Sequence, residues 1–148
     1  MRSGRAGYGV VFERTLMITT TPFGTAPSGS PVTVYNLVCA GARVRVMDYG
    51  ATILGIEVPD ASSDVADIVL GFDALDGYFD NPACYGGTIG PSANRTDKGQ
   101  IKIDGTVYQM ACNDGPDKAN NLHTDLEHGL HKRVWNATVD EITNTVSF

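Results

Sequence analysis

Asn94, Arg95 and His123 are the residues whose types and placement point most directly to chemistry. An arginine fork donates several hydrogen bonds in fixed geometry, and an asparagine amide both donates and accepts. A neutral imidazole adds one donor and one acceptor and titrates near neutrality. Sugar hydroxyls need donors and acceptors side by side, and this trio supplies both. Taken singly, the same residues also fit a turn asparagine, a surface ion pair and a loop histidine capped by a carbonyl.

The segments around them must do the positioning. Asn94 and Arg95 end the glycine-rich run Tyr85-Gly86-Gly87-Thr88-Ile89-Gly90-Pro91-Ser92-Ala93-Asn94-Arg95-Thr96. That run is no phosphate loop, because it lacks a Gly-Lys-Ser/Thr ending and opens no helical pattern. Its glycines suit a tight bend or a close backbone approach beside a ligand. Next come Gln100-Ile101-Lys102-Ile103 and Thr106-Val107-Tyr108-Gln109-Met110, which flank Asp104-Gly105. Asp-Gly supplies the positive φ angles of a two-residue type I′ turn, so a hairpin is predicted. In that register Ile103 faces Thr106 and Ile101 faces Tyr108, with Ile101, Ile103, Tyr108 and Met110 expected on the core side. Asn120-Asn121-Leu122-His123 then lies in an irregular stretch from Asn113 to Lys132. His123, His128 and His131, with Asp125 and Glu127 nearby, fit no standard zinc spacing, and no metal site is assigned. Phe79, Tyr85 and Trp135 can offer an apolar platform to a sugar ring, although aromatic residues more often serve as core.

Short strands dominate the rest. Val32 to Leu37 and Ala42 to Val46 alternate, with Val44 and Val46 opposite Arg43 and Arg45. Thr52 to Val58 puts Leu54, Ile56 and Val58 on one face and stops at Pro59-Asp60. Asp67-Ile68-Val69-Leu70-Gly71 reads as a short buried strand, and Gly71 to Tyr78 as a loop or single helical turn. Arg133 to Val139 alternates around Trp135, and Asn144 to Phe148 begins another strand. No helix of three turns and no repeat is found. The expected fold is all-β, an antiparallel β-sandwich over residues 17–148. Residues 1–16 show no periodicity and read as a disordered tail or as the product of a misassigned start, with Met17 the more natural beginning.

Composition narrows the function. A chain of 148 residues with 42% hydrophobic and 19% charged residues is globular. Its net charge of −6 argues against nucleic-acid or anionic-membrane partners, which want a basic face. No run approaches a membrane span or a signal peptide. The sequons Asn94-Arg95-Thr96 and Asn136-Ala137-Thr138 are therefore read as chance. Cys39, Cys84 and Cys112 form neither a disulfide framework nor a zinc ribbon, and scattered thiols fit a cytoplasmic protein.

Several short motifs, in shared order and spacing, make the chain resemble the aldose 1-epimerase (galactose mutarotase) family from about Phe23 to Trp135. They are Asp48-Tyr49-Gly50-Ala51, Val58-Pro59-Asp60, Val69-Leu70-Gly71-Phe72-Asp73, Ile89-Gly90, Ala93-Asn94-Arg95, Ile103-Asp104-Gly105, Asn121-Leu122-His123 and Lys132-Arg133-Val134-Trp135. The resemblance implies a mutarotase-like supersandwich, present here in part, that interconverts the α and β anomers of free hexoses such as galactose and glucose. A carboxylate takes the C1 hydroxyl proton while an imidazolium protonates the ring oxygen, and the ring opens and recloses on either face. No metal or organic cofactor is implied. Asn94, Arg95 and His123 match the family's substrate-binding positions. The family's general acid His and general base Glu come from later in a longer chain, beyond residue 148, so no catalytic residue is assigned.

Two local departures stand out: Pro91 replaces an arginine, and Thr124-Asp125 replace a Gly-Gly pair. The expected reading is an N-terminal portion of an epimerase, inactive and aggregation-prone alone, because part of a sandwich leaves sheet edges and apolar faces uncovered. The alternative is a non-catalytic carbohydrate-binding or regulatory β-module that keeps the sugar-gripping residues.

Overall fold

The computed structural model describes residues 17–148, so the expectation for residues 1–16 lies outside it. The fold is all-β and antiparallel. Strands β1 (Met17–Thr25), β2 (Pro31–Cys39), β3 (Ala42–Met47), β4 (Thr52–Pro59) and β5 (Val65–Asp67) form one meander in sequence order. Three two-stranded ladders follow, pairing β6 (Arg95–Thr96) with β9 (Asn121–Leu122), β7 (Gln100–Ile103) with β8 (Thr106–Gln109), and β10 (Thr138–Asp140) with β11 (Thr145–Ser147). Between the sheet and the ladders lies a one-turn helix, α1 (Gly77–Asp80).

One face of the sheet carries the core. Val32, Val34, Met47 and Leu54 pack with Tyr49, Leu75 and Tyr78, and Phe23, Phe79 and Val134 close the margin. Burying such aliphatic side chains stabilises the fold by about 2 kcal/mol each. Tyr78 is held at its polar end too, since its hydroxyl accepts from the Phe72 N–H at 3.0 Å and donates to the Phe72 carbonyl at 3.2 Å. A bulge in the β3–β4 register leaves the buried Leu54 as an extra residue of β4, between the Arg45–Gly55 and Val46–Ile53 pairs.

The Asp48-Tyr49-Gly50-Ala51 motif is the junction between the sheet and the site-bearing half. Asp48 is buried, its carboxylate accepting the Thr33 N–H at 3.0 Å, while the Asp48 carbonyl accepts the Trp135 N–H at 2.9 Å. Gly50 donates to the Arg133 carbonyl at 2.7 Å, and Ile53 donates to the Gly86 carbonyl at 2.9 Å. Lys132 fastens the same half to α1 by donating to the Phe79 and Asp80 carbonyls at 2.6 and 2.9 Å. A cation there satisfies the orphan carbonyls of a helix C-terminus.

Three expectations are corrected. The apolar run after β5 is not a buried strand: pairing ends at Asp67, and Ile68 and Leu70 are 67% and 72% exposed. Asp67 stops the ladder itself, its carboxylate accepting the N–H groups of Ile56 and Val69. The β7–β8 hairpin has the expected register, Ile103 opposite Thr106 and Ile101 opposite Tyr108. Its presumed core side is nevertheless open, with Ile103 and Tyr108 each 54% exposed, because among the described residues no second layer covers it. The alternation expected from Arg133 is also interrupted. Val134 makes an isolated bridge to Tyr49, and regular pairing resumes only at Thr138.

His131 gives the fold a pH dependence. It is buried, among the described residues its Nδ1 has no partner, and burial, reinforced by the Lys132 charge, holds its pKa below the ordinary 6.5. The unfolded chain then takes up the proton before the folded one, so stability is full above about pH 6.5 and falls as pH drops below it. Thermal midpoints should decline between pH 7.5 and 5.5, and His131→Gln should flatten that slope. An unchanged slope would show that another group governs it.

Candidate functional site

The glycine-rich segment is pinned before it delivers its functional residues. Gly86 has φ +64°, and a Cβ there would run into the Ile53 carbonyl, so only glycine lets the chain pass this close to β4. Thr88 extends the seam, its hydroxyl donating to the Ala51 carbonyl at 3.0 Å. From this anchor the chain reaches β6, which pairs with β9 by matching Arg95 to Leu122 and Thr96 to Asn121.

Beyond that ladder, Asn94 and His123 form an irregular third rung. The His123 N–H donates to the Asn94 carbonyl at 3.1 Å, and the Asn94 N–H donates to the His123 Nδ1 at 3.0 Å. An N–H aimed at Nδ1 makes that nitrogen the acceptor, so in the neutral ring the proton sits on Nε2, which donates to no group among the described residues. The arrangement therefore sets the tautomer of the imidazole, which suits it to hold a ligand oxygen. The structure thus places the three sequence-predicted residues on neighbouring rungs of one two-stranded ribbon.

Arg95 has a partner that no sequence pattern announced. Its Nε donates to Asp114 Oδ2 at 2.7 Å, with the arginine side chain 61% and the aspartate side chain 21% exposed. The residue before it, Asn113, clasps Leu122 through both backbone groups, at 2.6 and 3.0 Å. The buried amide of Asn121 ties the loop together, donating to the Ala111 and Thr124 carbonyls at 2.7 Å each and accepting the Thr124 N–H at 3.1 Å. Polar residues in loops signal turns in a sequence, but not which carbonyls they will satisfy.

Strain gathers here. Asn94, His123 and Thr124 have φ of 60°, 57° and 65°. For a β-branched threonine that conformation is costly, on the order of 1–3 kcal/mol, and persists only where surroundings enforce it. Thr124 is enforced by Asn121 and by its own hydroxyl, which accepts the Ser92 N–H at 2.9 Å and donates to the Ser92 carbonyl at 3.0 Å. This contact staples the His123 loop to the Asn94 loop. Its neighbour Asp125 shapes the next turn by accepting the Glu127 and His128 N–H groups, which hold its carboxyl below the usual range.

The other candidates serve elsewhere. His128 lies 3.5 Å from the Asp125 carboxylate, and His131 is buried. Among the described residues no three His, Cys, Asp or Glu side chains gather as a metal site would require. Phe79 stacks edge-to-face on Tyr49 at the core margin, Tyr85 lies 5.8 Å from Phe72, and Trp135 donates to the Leu130 carbonyl. Beside the ribbon is a cleft of about 380 Å³, whose lining includes Asn113, Thr124, Asp125 and His128.

A family profile described as Aldose 1-epimerase matches residues 34–148. Galactose mutarotase from Homo sapiens is 37% identical over 132 residues, 88% of this chain and 37% of that protein. Aldose 1-epimerase from Escherichia coli K12 is 34% identical over 120 residues, 80% of this chain and 33% of that protein. The crystal structure of galactose 1-epimerase from Lactobacillus acidophilus NCFM superposes with a TM-score of 0.68 at 25% identity, covering 85% of this chain and 36% of that one. The chain thus spans little more than a third of the length of the curated relatives it matches.

Proposed function

The chain belongs to the aldose 1-epimerase family, and from that premise we propose that it serves the interconversion of α and β anomers of free hexoses such as galactose and glucose. In this reading Asn94, Arg95 and His123 bind the sugar, and the ring opens by acid–base chemistry whose general acid and base these 148 residues do not supply. The observation that carries it is the rung joining Asn94 to His123, which fixes the imidazole through its Nδ1 one rung from Arg95. Donors fixed on adjacent rungs of a ribbon are suited to neighbouring hydroxyls and a ring oxygen. The cytoplasm is the proposed compartment, consistent with free thiols at Cys39, Cys84 and Cys112.

The test is galactose and glucose titration of the purified chain, with polarimetry of freshly dissolved α-D-galactose. We expect binding, no acceleration over spontaneous mutarotation, and an affinity loss of about tenfold or more in Arg95→Ala. A chain that binds neither hexose overturns the proposal. Acceleration that vanishes in Arg95→Ala would instead place a complete acid–base pair within this chain.

A further inference from the structure

We infer that Asp114 is a positioning residue for the sugar site, acting on the ligand only through Arg95; the inference rests on the sugar-binding reading above. An exposed arginine samples many rotamers, and ordering such a side chain on binding weakens affinity. Asp114 removes much of that freedom. Its Oδ2 takes the Nε hydrogen of Arg95 at 2.7 Å, and among the described residues neither Nη has a partner. The contact is side-on at Nε. An end-on bidentate pair at the Nη atoms would consume the hydrogens best placed to reach a hydroxyl.

The carboxylate is itself held in place. The Asp114 N–H donates to the Asn120 carbonyl at 3.0 Å, and the Asn120 N–H returns to the Asp114 carbonyl at 3.0 Å. Asn113, one residue earlier, clasps Leu122, and Leu122 is the rung partner of Arg95. Asn113 and Asp114 therefore grip the two sides of one rung, the first holding the β9 backbone and the second the β6 side chain. The turn they begin, residues 115–119, carries Gly115, Asp117 and Lys118 with φ of 81°, 55° and 52°, a conformation that brings Asn120 back against Asp114. Because the arginine of the pair is largely exposed, the pair adds little to global stability. Its effect falls on where the guanidinium points.

The experiment compares Asp114→Ala and Asp114→Glu with the parent chain, alone and in an Arg95→Ala background. Galactose affinity is read by titration, the Arg95 Nε–H by NMR, and folding by thermal unfolding. Asp114→Ala should weaken binding about tenfold, move the Arg95 Nε–H resonance to that of a free arginine, and leave the thermal midpoint nearly unchanged. Asp114→Glu should restore part of the affinity. With Arg95 already replaced, Asp114→Ala should have no further effect, since a residue acting through another is silent once that other is gone. Undiminished affinity in Asp114→Ala, or losses that add independently in the double variant, would overturn the positioning role while leaving the sugar site standing. A parent chain that fails to bind galactose would overturn the sugar-site reading and this inference with it.

Discussion

Asn121→Ala is expected to destabilise the chain by about 3–5 kcal/mol, at the upper end for a single substitution. The amide is fully buried and serves three backbone groups, the carbonyls of Ala111 and Thr124 and the Thr124 N–H. Alanine would leave all three without their partner, and an orphaned buried polar group costs about 1–3 kcal/mol. The damage would not stay local. Thr124 is held at φ +65° by these bonds, and it staples the His123 loop to Ser92. Urea or thermal unfolding gives the size of the loss, and a change below about 1 kcal/mol would mean that water substitutes for the amide. Asn121→Asp is a useful companion. It keeps the acceptor for Thr124 but sets a carboxylate against two carbonyls, and it should also be severely damaging.

His123 offers the second large effect, and two substitutions divide its roles. His123→Ala removes the Nδ1 acceptor that holds the Asn94 N–H and also the Nε2–H donor assigned to the sugar. It should lower both thermal stability and galactose affinity, the latter by about tenfold or more. His123→Asn can present an oxygen where Nδ1 stood, and asparagine tolerates the positive φ of this position. That variant should keep the loop and lose the sugar. If His123→Asn binds galactose as the parent does, the imidazole is structural and the ligand contact must be assigned elsewhere.

Much of the frame was legible in the sequence because it depends on local chemistry. Asp104-Gly105 specifies its turn through backbone conformation alone, and the hairpin has the register that turn requires. The alternation of β2 puts Val32 and Val34 in the core, whereas in β3 Val44 and Val46 lie on the face opposite Met47, outside that cluster. The threonine-rich strand β1 carries no such pattern and owes its conformation to β2, with which it pairs along nearly its whole length. The apolar stretch Ile68 to Leu70 misled for a related reason. Hydrophobicity states that a surface favours cover but cannot say which segment provides it, and here Asp67 ends the ladder first.

The candidate site was readable in the residues proposed to face the ligand and unreadable in their supports. Asn94, Arg95 and His123 are conspicuous by type. The duties of Asp114, Asn121 and Thr124 emerge only when a turn folds back, because any Asp or Asn in a loop can satisfy many different carbonyls and amides.

The hairpin β7–β8 lies between the two halves of the site in the chain, and this bears on how fast the site assembles. The contacts that define it are remote in sequence, 29 residues for Asn94 with His123 and 32 for Ser92 with Thr124. Closing a loop of that size from a free chain carries an entropic penalty before any contact rewards it. A hairpin nucleated by its own turn forms on a microsecond scale and consumes much of the intervening chain. The ends at β6 and β9 are then joined by a shorter effective tether. A hairpin formed first would thus shorten the loop that a ribbon of only two regular rungs has to close, and weakening its Asp104-Gly105 turn is expected to slow refolding.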